Sequence, residues 1–169
     1  MSDLMAGGPI DAKGLANLFL DWSIDVGIPV SPMKLQKLLF FTHSDFLTRT
    51  GMPLIKQEFE AWDYGPVIPS LYQEFKRFKD RPITSKATSF DPVTTTTRIP
   101  SCTLDPGNIE LVRQMFDFYI KLGALHLSDL SHEFEGAWRQ ARSLFSNGMN
   151  MDRRISNEMI IAFHRPIHS

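Results

Sequence analysis

The chain has one cysteine, Cys102. A lone cysteine forms no internal disulfide, and a cysteine-based zinc site is excluded. Such usage suits a reducing compartment and makes the cytoplasm the expected location. No apolar run approaches the ~20 residues of a membrane-spanning helix. The opening residues MSDLMAGGPI lack a basic start and an apolar h-region, so no signal peptide is expected. Charge of one sign is also missing: the formal net charge is -1. That leaves no electrostatic footprint for a membrane surface, and it argues against nucleic acid as a partner. There is no glycine-rich phosphate loop, because Gly7-Gly8 stands alone with no Lys-Ser or Lys-Thr in register. A nucleophile elbow of the G-x-S-x-G type is absent as well.

The five histidines are His43, His126, His132, His164 and His168. None pairs with another at the spacing of a zinc-protease helix with a glutamate between; His164 and His168 have the spacing, but Pro166 interrupts it. His43 and Asp45 are two apart on one helix and do not face each other, so no acid–base pair is expected there. The cluster Ser128-Asp129-Leu130-Ser131-His132-Glu133 holds the ingredients of nucleophilic catalysis, but sequence neighbours rarely converge into a triad. A helix start explains Ser128 and Asp129 more simply, as a cap and a first-turn acid. The residues therefore give no catalytic group, no metal site and no cofactor.

What is present is a globular composition, 43% hydrophobic and 22% charged over 169 residues, which fits one domain with a sizeable core. Residues 1–10 read as a flexible tail and 11–165 as the single domain. Asp11 caps a first helix whose face is Leu15, Leu18, Phe19, Trp22 and Val26, stopped at Gly27. Ser31-Pro32 opens a second helix that ends at Thr50-Gly51 and carries apolar residues on more than one side. Leu54–Tyr64 runs extended. A third helix spans about Ile68–Lys79, and its Lys76, Arg77 and Lys79 complement the helix dipole. Residues 81–105 form a variable excursion: either two strands, Ile83–Phe90 and Thr94–Ser101, or a flexible segment. Asp105-Pro106 opens a fourth helix closed by Gly123, with Val112, Met115, Phe116, Tyr119 and Leu122 inward. Ser128 caps a short fifth helix through Phe134, and Ala137–Leu144 forms another. Asp152 or Ser156 caps the last, with Ile155, Met159 and Phe163 inward. The expected fold class is α+β, predominantly helical, with about six helices and a small antiparallel β element in the middle of the chain.

The aromatic density peaks in Phe59–Tyr72, where large rings surround a rigid Gly65-Pro66 turn. Three motifs in order then resemble Panacea-domain proteins, a family that includes SocA-like antitoxins. Lys34-Leu35-Gln36-Lys37-Leu38-Leu39-Phe40-Phe41 is similar to its Lys-Leu-Gln-Lys-Leu-Leu-Tyr-Tyr pattern. Ala61-Trp62-Asp63-Tyr64-Gly65-Pro66-Val67 matches its Ala-Trp-x-Tyr-Gly-Pro-Val block. Leu127-Ser128-Asp129-Leu130-Ser131-His132 fits its third segment, with Ala137-Trp138 in place of Pro-Trp. The resemblance covers roughly Ala12 to Phe163.

It implies an antitoxin that neutralises a cognate toxin protein by direct binding. A SocA-like member also acts as an adaptor presenting its toxin to the ClpXP protease, and other relatives are phage-associated interaction modules. The expected partner-binding residues are Trp62, Tyr64, Gly65, Pro66, Tyr72, His132 and Trp138, with Trp62 and Trp138 buried and Tyr64 and His132 nearer the surface. The competing readings are a hydrolase-like enzyme using His132, a phage-related interaction module without toxin neutralisation, and an operon-binding repressor.

Overall fold

The computed structural model describes residues 8–131, 136–149 and 152–166. The helix α2 (Pro32–Thr50) is the centre of the fold. Ser31 caps it by accepting from the Lys34 backbone N–H, and Gly51 stops it at φ 73°. Every residue from Lys34 to Leu47 is buried, so this helix is covered on all sides. Around it lie α1 (Ala12–Val26), α3 (Pro69–Phe75), α4 (Pro106–Tyr119), α5 (Ala124–Ser131) and α7 (Asn157–Phe163), with α6 (Ala137–Ser146) packed on α7.

Aromatic contacts join the layers. Phe41 stacks on Tyr119 of α4 at 5.0 Å, and Phe40 meets Phe59 edge-on at 5.2 Å. On α1, Phe19 and Trp22 both pack on Phe116 of α4. Such ring pairs contribute ~0.5–1.5 kcal/mol each beyond the area they bury.

The main sheet has strand order β2-β1-β5, all antiparallel: β1 (Phe59–Trp62), β2 (Gly65–Val67) and β5 (Arg154–Ile155). Phe59 and Ala61 point into the core while Glu60 and Trp62 face the other way, the alternation the sequence shows. Only these four residues of the extended stretch are strand; upstream, Ile55 makes a parallel bridge to Ile10. A second hairpin, β3 (Ser89–Asp91) with β4 (Thr96–Arg98), stands out in the 81–105 excursion.

The fold is thus α+β and mainly helical, with seven α-helices among the described residues. Several boundaries differ from the sequence expectation. The excursion's strands are three residues each. The flanks are pinned to α1 instead: Asn17 Nδ2 donates to the Ala87 and Pro100 carbonyls (3.1 and 2.9 Å), and Ala87 N donates to Asn17 Oδ1 (2.7 Å). The third helix ends at Phe75 and tightens into a 3₁₀ turn, Lys76–Phe78. Ser128 is inside α5 rather than its cap, because the helix starts at Ala124 with Leu127 N donating to the Gly123 carbonyl. The part of that segment running to Phe134 lies outside the described residues. Ile155 is buried, but from β5 and not from the last helix, which Ser156 caps. Val26 is exposed, one turn past the buried stripe of α1.

Candidate protein-binding groove

The helix is buried from Lys34 to Leu47, and its Gln36, Lys37, His43 and Asp45 side chains find polar partners inside the protein. Two of these side chains hold the second motif in place. Gln36 Oε1 accepts from Ile68 N (2.9 Å) and its Nε2 donates to the Ile68 carbonyl (3.1 Å). Lys37 Nζ donates to the Pro66 carbonyl at 3.0 Å. The outer edge of β2 is therefore capped by α2 side chains, and the first two motifs form one unit.

That unit lifts a two-residue turn. Trp62 pairs with Gly65, so Asp63 and Tyr64 form the tip. Gly65 sits at φ 114°, a conformation that a side chain would strain, and it lets the strand reverse under Tyr64. Tyr64 is 78% exposed. From below, Arg142 of α6 donates to Asp63 Oδ1 at 2.7 Å, and Trp138 Nε1 donates to the Trp62 carbonyl at 2.8 Å.

Between this hairpin, the start of α2 and α3 lies an open groove of about 320 Å³. Met33, Trp62, Tyr64, Val67, Leu71 and Tyr72 give it an apolar wall. The Trp62 and Tyr72 rings meet edge-on at 4.9 Å, and Trp62 Nε1 is held by Glu60 Oε2 at 2.7 Å. Lys37 is at the floor, while Lys76 and Lys79 stand at the side. Burial lowers the Lys37 amine to about 7 from its ordinary 10.5.

Of the residues expected at a partner surface, Trp62, Tyr64 and Tyr72 converge on this groove. Gly65 and Pro66 are buried behind it and shape the hairpin. Trp138 supports the backbone of Trp62 without lining the groove. Both tryptophans are half-buried rather than buried: Trp62 turns a face to the groove, and Trp138 lies beside the Arg142 guanidinium at 5.6 Å. His132 lies outside the described residues.

The lysines were not singled out as site residues in the sequence. Lys76 opens the 3₁₀ turn and Lys79 caps it, its backbone N–H donating to the Lys76 carbonyl, and both side chains line the groove. Arg77, between them, turns away to the Glu74 carbonyl and Ser85 Oγ. In the sequence, the helix-dipole explanation masked both lysines.

A second polar cluster lies in the core. Asp45 accepts from Tyr119 Oη (2.6 Å) and pairs with His164 Nε2 (2.6 Å). His43 faces elsewhere: its Nδ1 accepts from Ile55 N at 3.2 Å, which leaves Nε2–H for Asn157 Oδ1 at 3.0 Å. The two residues do not form an acid–base pair, as their spacing implies. Asp45 is 0% and His164 8% exposed, so their pairing is closed to a substrate and ties the end of the chain to α2. No group of three or more metal-ligating residues occurs among the described residues. Nor is any helix among them long and apolar enough to cross a membrane.

The family model for the antitoxin SocA-like, Panacea domain matches residues 35–139, which contain the hairpin and all the groove's lining residues except Pro32 and Met33. Antitoxin SocA of Caulobacter vibrioides (strain NA1000 / CB15N) is 32% identical over 151 residues, covering 89% of this chain and 80% of that protein. No solved structure matches. With three motifs in order, a matching family model and a relative that spans most of the chain, the protein belongs to the antitoxin SocA-like, Panacea domain family.

Proposed function

We propose that this protein is an antitoxin that neutralises a cognate toxin protein by binding it directly through the groove beside Tyr64. The observation that carries this is an open apolar groove built by the family's own motifs, with a largely exposed tyrosine at its lip. Aromatic side chains are the usual anchors of protein interfaces because they bury much area at low entropic cost. Trp62, Tyr64 and Tyr72 are the contact residues, Gly65 and Pro66 set their positions, and Trp138 supports them from beneath.

The role is binding and not catalysis. None of the residues lining the groove is an acid, a histidine, a serine or a cysteine. Among the described residues, the acid–histidine pair Asp45–His164 is sealed in the core. Delivery of the bound toxin to ClpXP is the second step, which places the protein's action in the cytoplasm.

Pull-down of the tagged chain from its host, with ClpP inactivated, tests both steps. A single small partner that is toxic when expressed alone supports neutralisation, and its accumulation only without active ClpP supports delivery. If Tyr64→Ala folds normally and still neutralises that toxin at full strength, the groove is not the site.

A further inference from the structure

We propose that the groove recognises a segment of the partner protein in which an apolar side chain stands close to a carboxylate, with Lys37, Lys76 and Lys79 reading the acid. This rests on the groove being the partner site and adds the chemistry of what enters it.

The charged residues lining the groove are all of one sign. They are Lys37, Lys76 and Lys79, and none of Glu60, Asp63, Glu74 or Asp80 lines it. Three of these acids are already engaged. Glu60 holds the Trp62 indole, Asp63 holds Arg142, and Glu74 holds Lys13 and the Thr88 backbone N–H. Among the described residues, none of the three lysines forms an ion pair. Lys76 has only a neutral partner, Gln73 Oε1 at 2.6 Å. Lys37 makes one hydrogen bond, to Pro66 O, although an ammonium carries three donors.

Two of these lysines sit where a lysine is costly. Lys37 is 1% exposed, at a position where an apolar side chain would avoid the desolvation of an amine. Lys79 is at φ 57° and ψ -118°, a backbone conformation that favours glycine. Burial at one and an unfavourable backbone conformation at the other mark two lysine positions at the same groove. An incoming carboxylate removes the imbalance. It supplies the acceptor that Lys37 lacks and favours its protonated form, so the charge appears with the ligand. The volume of about 320 Å³ is at the small end for a ligand pocket, ~300–1,000 Å³. It takes the side chains of a short anchor segment rather than a whole helix.

Selection of a random displayed peptide library on the purified full chain tests this. The expected winners carry Phe, Trp, Leu or Met with Asp, Glu or a terminal carboxylate within a few positions. Changing that acid to its amide in the best peptide weakens binding to the wild type about ten-fold or more. The same change has little effect on binding to Lys37→Met, or to the rim variant Lys76→Ala/Lys79→Ala, which does not touch the core. Neutral or basic winners overturn the proposal, as does an acid-to-amide loss of equal size in every lysine variant. Failure to enrich any peptide also overturns it. Tyr64→Ala separates the two levels: winners that bind it as well as wild type do not use the groove, and then the partner-site reading itself fails. Winners that need Tyr64 but show no preference for an acid defeat only the present inference.

Discussion

Replacing Lys37 by methionine should make the free protein more stable. The amine is buried beneath the β1–β2 hairpin, and burial lowers it to about 7 from 10.5. One pH unit of difference is worth about 1.36 kcal/mol, so at neutral pH keeping this lysine in the fold costs about 4 kcal/mol. Against that stands its bond to the Pro66 carbonyl. Losing the bond and leaving the carbonyl unsatisfied costs roughly 2 kcal/mol. The variant should therefore gain roughly 2 kcal/mol near neutral pH, since methionine keeps the length and packing of the stem.

The sign of the pH dependence follows. Between about 7 and 10.5 the unfolded wild type binds the proton and the folded form does not, so wild-type stability rises with pH across that window. Methionine has nothing to titrate. The variant's advantage should shrink on raising the pH and vanish near about pH 9, where the remaining desolvation cost equals the lost bond. Urea unfolding of both proteins, at neutral pH and near the expected crossover, measures this directly. A variant less stable than wild type at neutral pH, or a gap that does not change with pH, would refute the claim that the amine sits uncompensated in the fold.

Three further outcomes follow from the same structure. A Cβ at Gly14 would lie 2.8 Å from the Ser101 carbonyl oxygen, a backbone atom. Gly14→Ala should therefore lose roughly 1–2 kcal/mol in urea unfolding despite the ~1 kcal/mol gain in helix propensity. Burial holds His43 at about 4 against 6.5 unfolded. The unfolded chain takes up the proton first as pH falls through that window, so roughly 3 kcal/mol of stability should be lost on acidification, and His43→Gln should flatten the loss in a pH series of melts. Tyr119→Phe removes a 2.6 Å hydrogen bond to the buried Asp45 carboxylate and should cost roughly 2 kcal/mol in the same denaturation assay, with the fold retained by circular dichroism.

The parts of the fold that the sequence made legible are those decided locally. Ser31-Pro32, Gly27 and Gly51 mark helix ends because caps and left-handed stops need only their neighbours. The alternation in Phe59–Trp62 gave the strand for the same reason. What was not legible depends on distant partners. The excursion's strands are short because Asn17 pins Ala87 and Pro100, 70 and 83 residues away. Asp45 finds its partner in His164, 119 residues later, and no periodicity announces that.

The groove divides along the same line. Its aromatic wall was visible in the run from Phe59 to Tyr72. Its cationic floor was not, because Lys37 on a helix reads as a solvated residue until the hairpin is seen above it. Ordinary charge patterning likewise accounted for Lys76 and Lys79, and their place at the groove shows only once α3 and the turn after it are seen beside the hairpin and α2.

The central claim is that this face binds the toxin, and the direct measurement is the affinity of the purified chain for its co-purifying partner, wild type against Tyr64→Ala. Tyr64 is 78% exposed, so its removal leaves the core intact. Loss of an aromatic anchor costs about 2 kcal/mol or more, so the account predicts a Kd at least about thirty-fold weaker with an unchanged melting temperature. An unchanged Kd would contradict it.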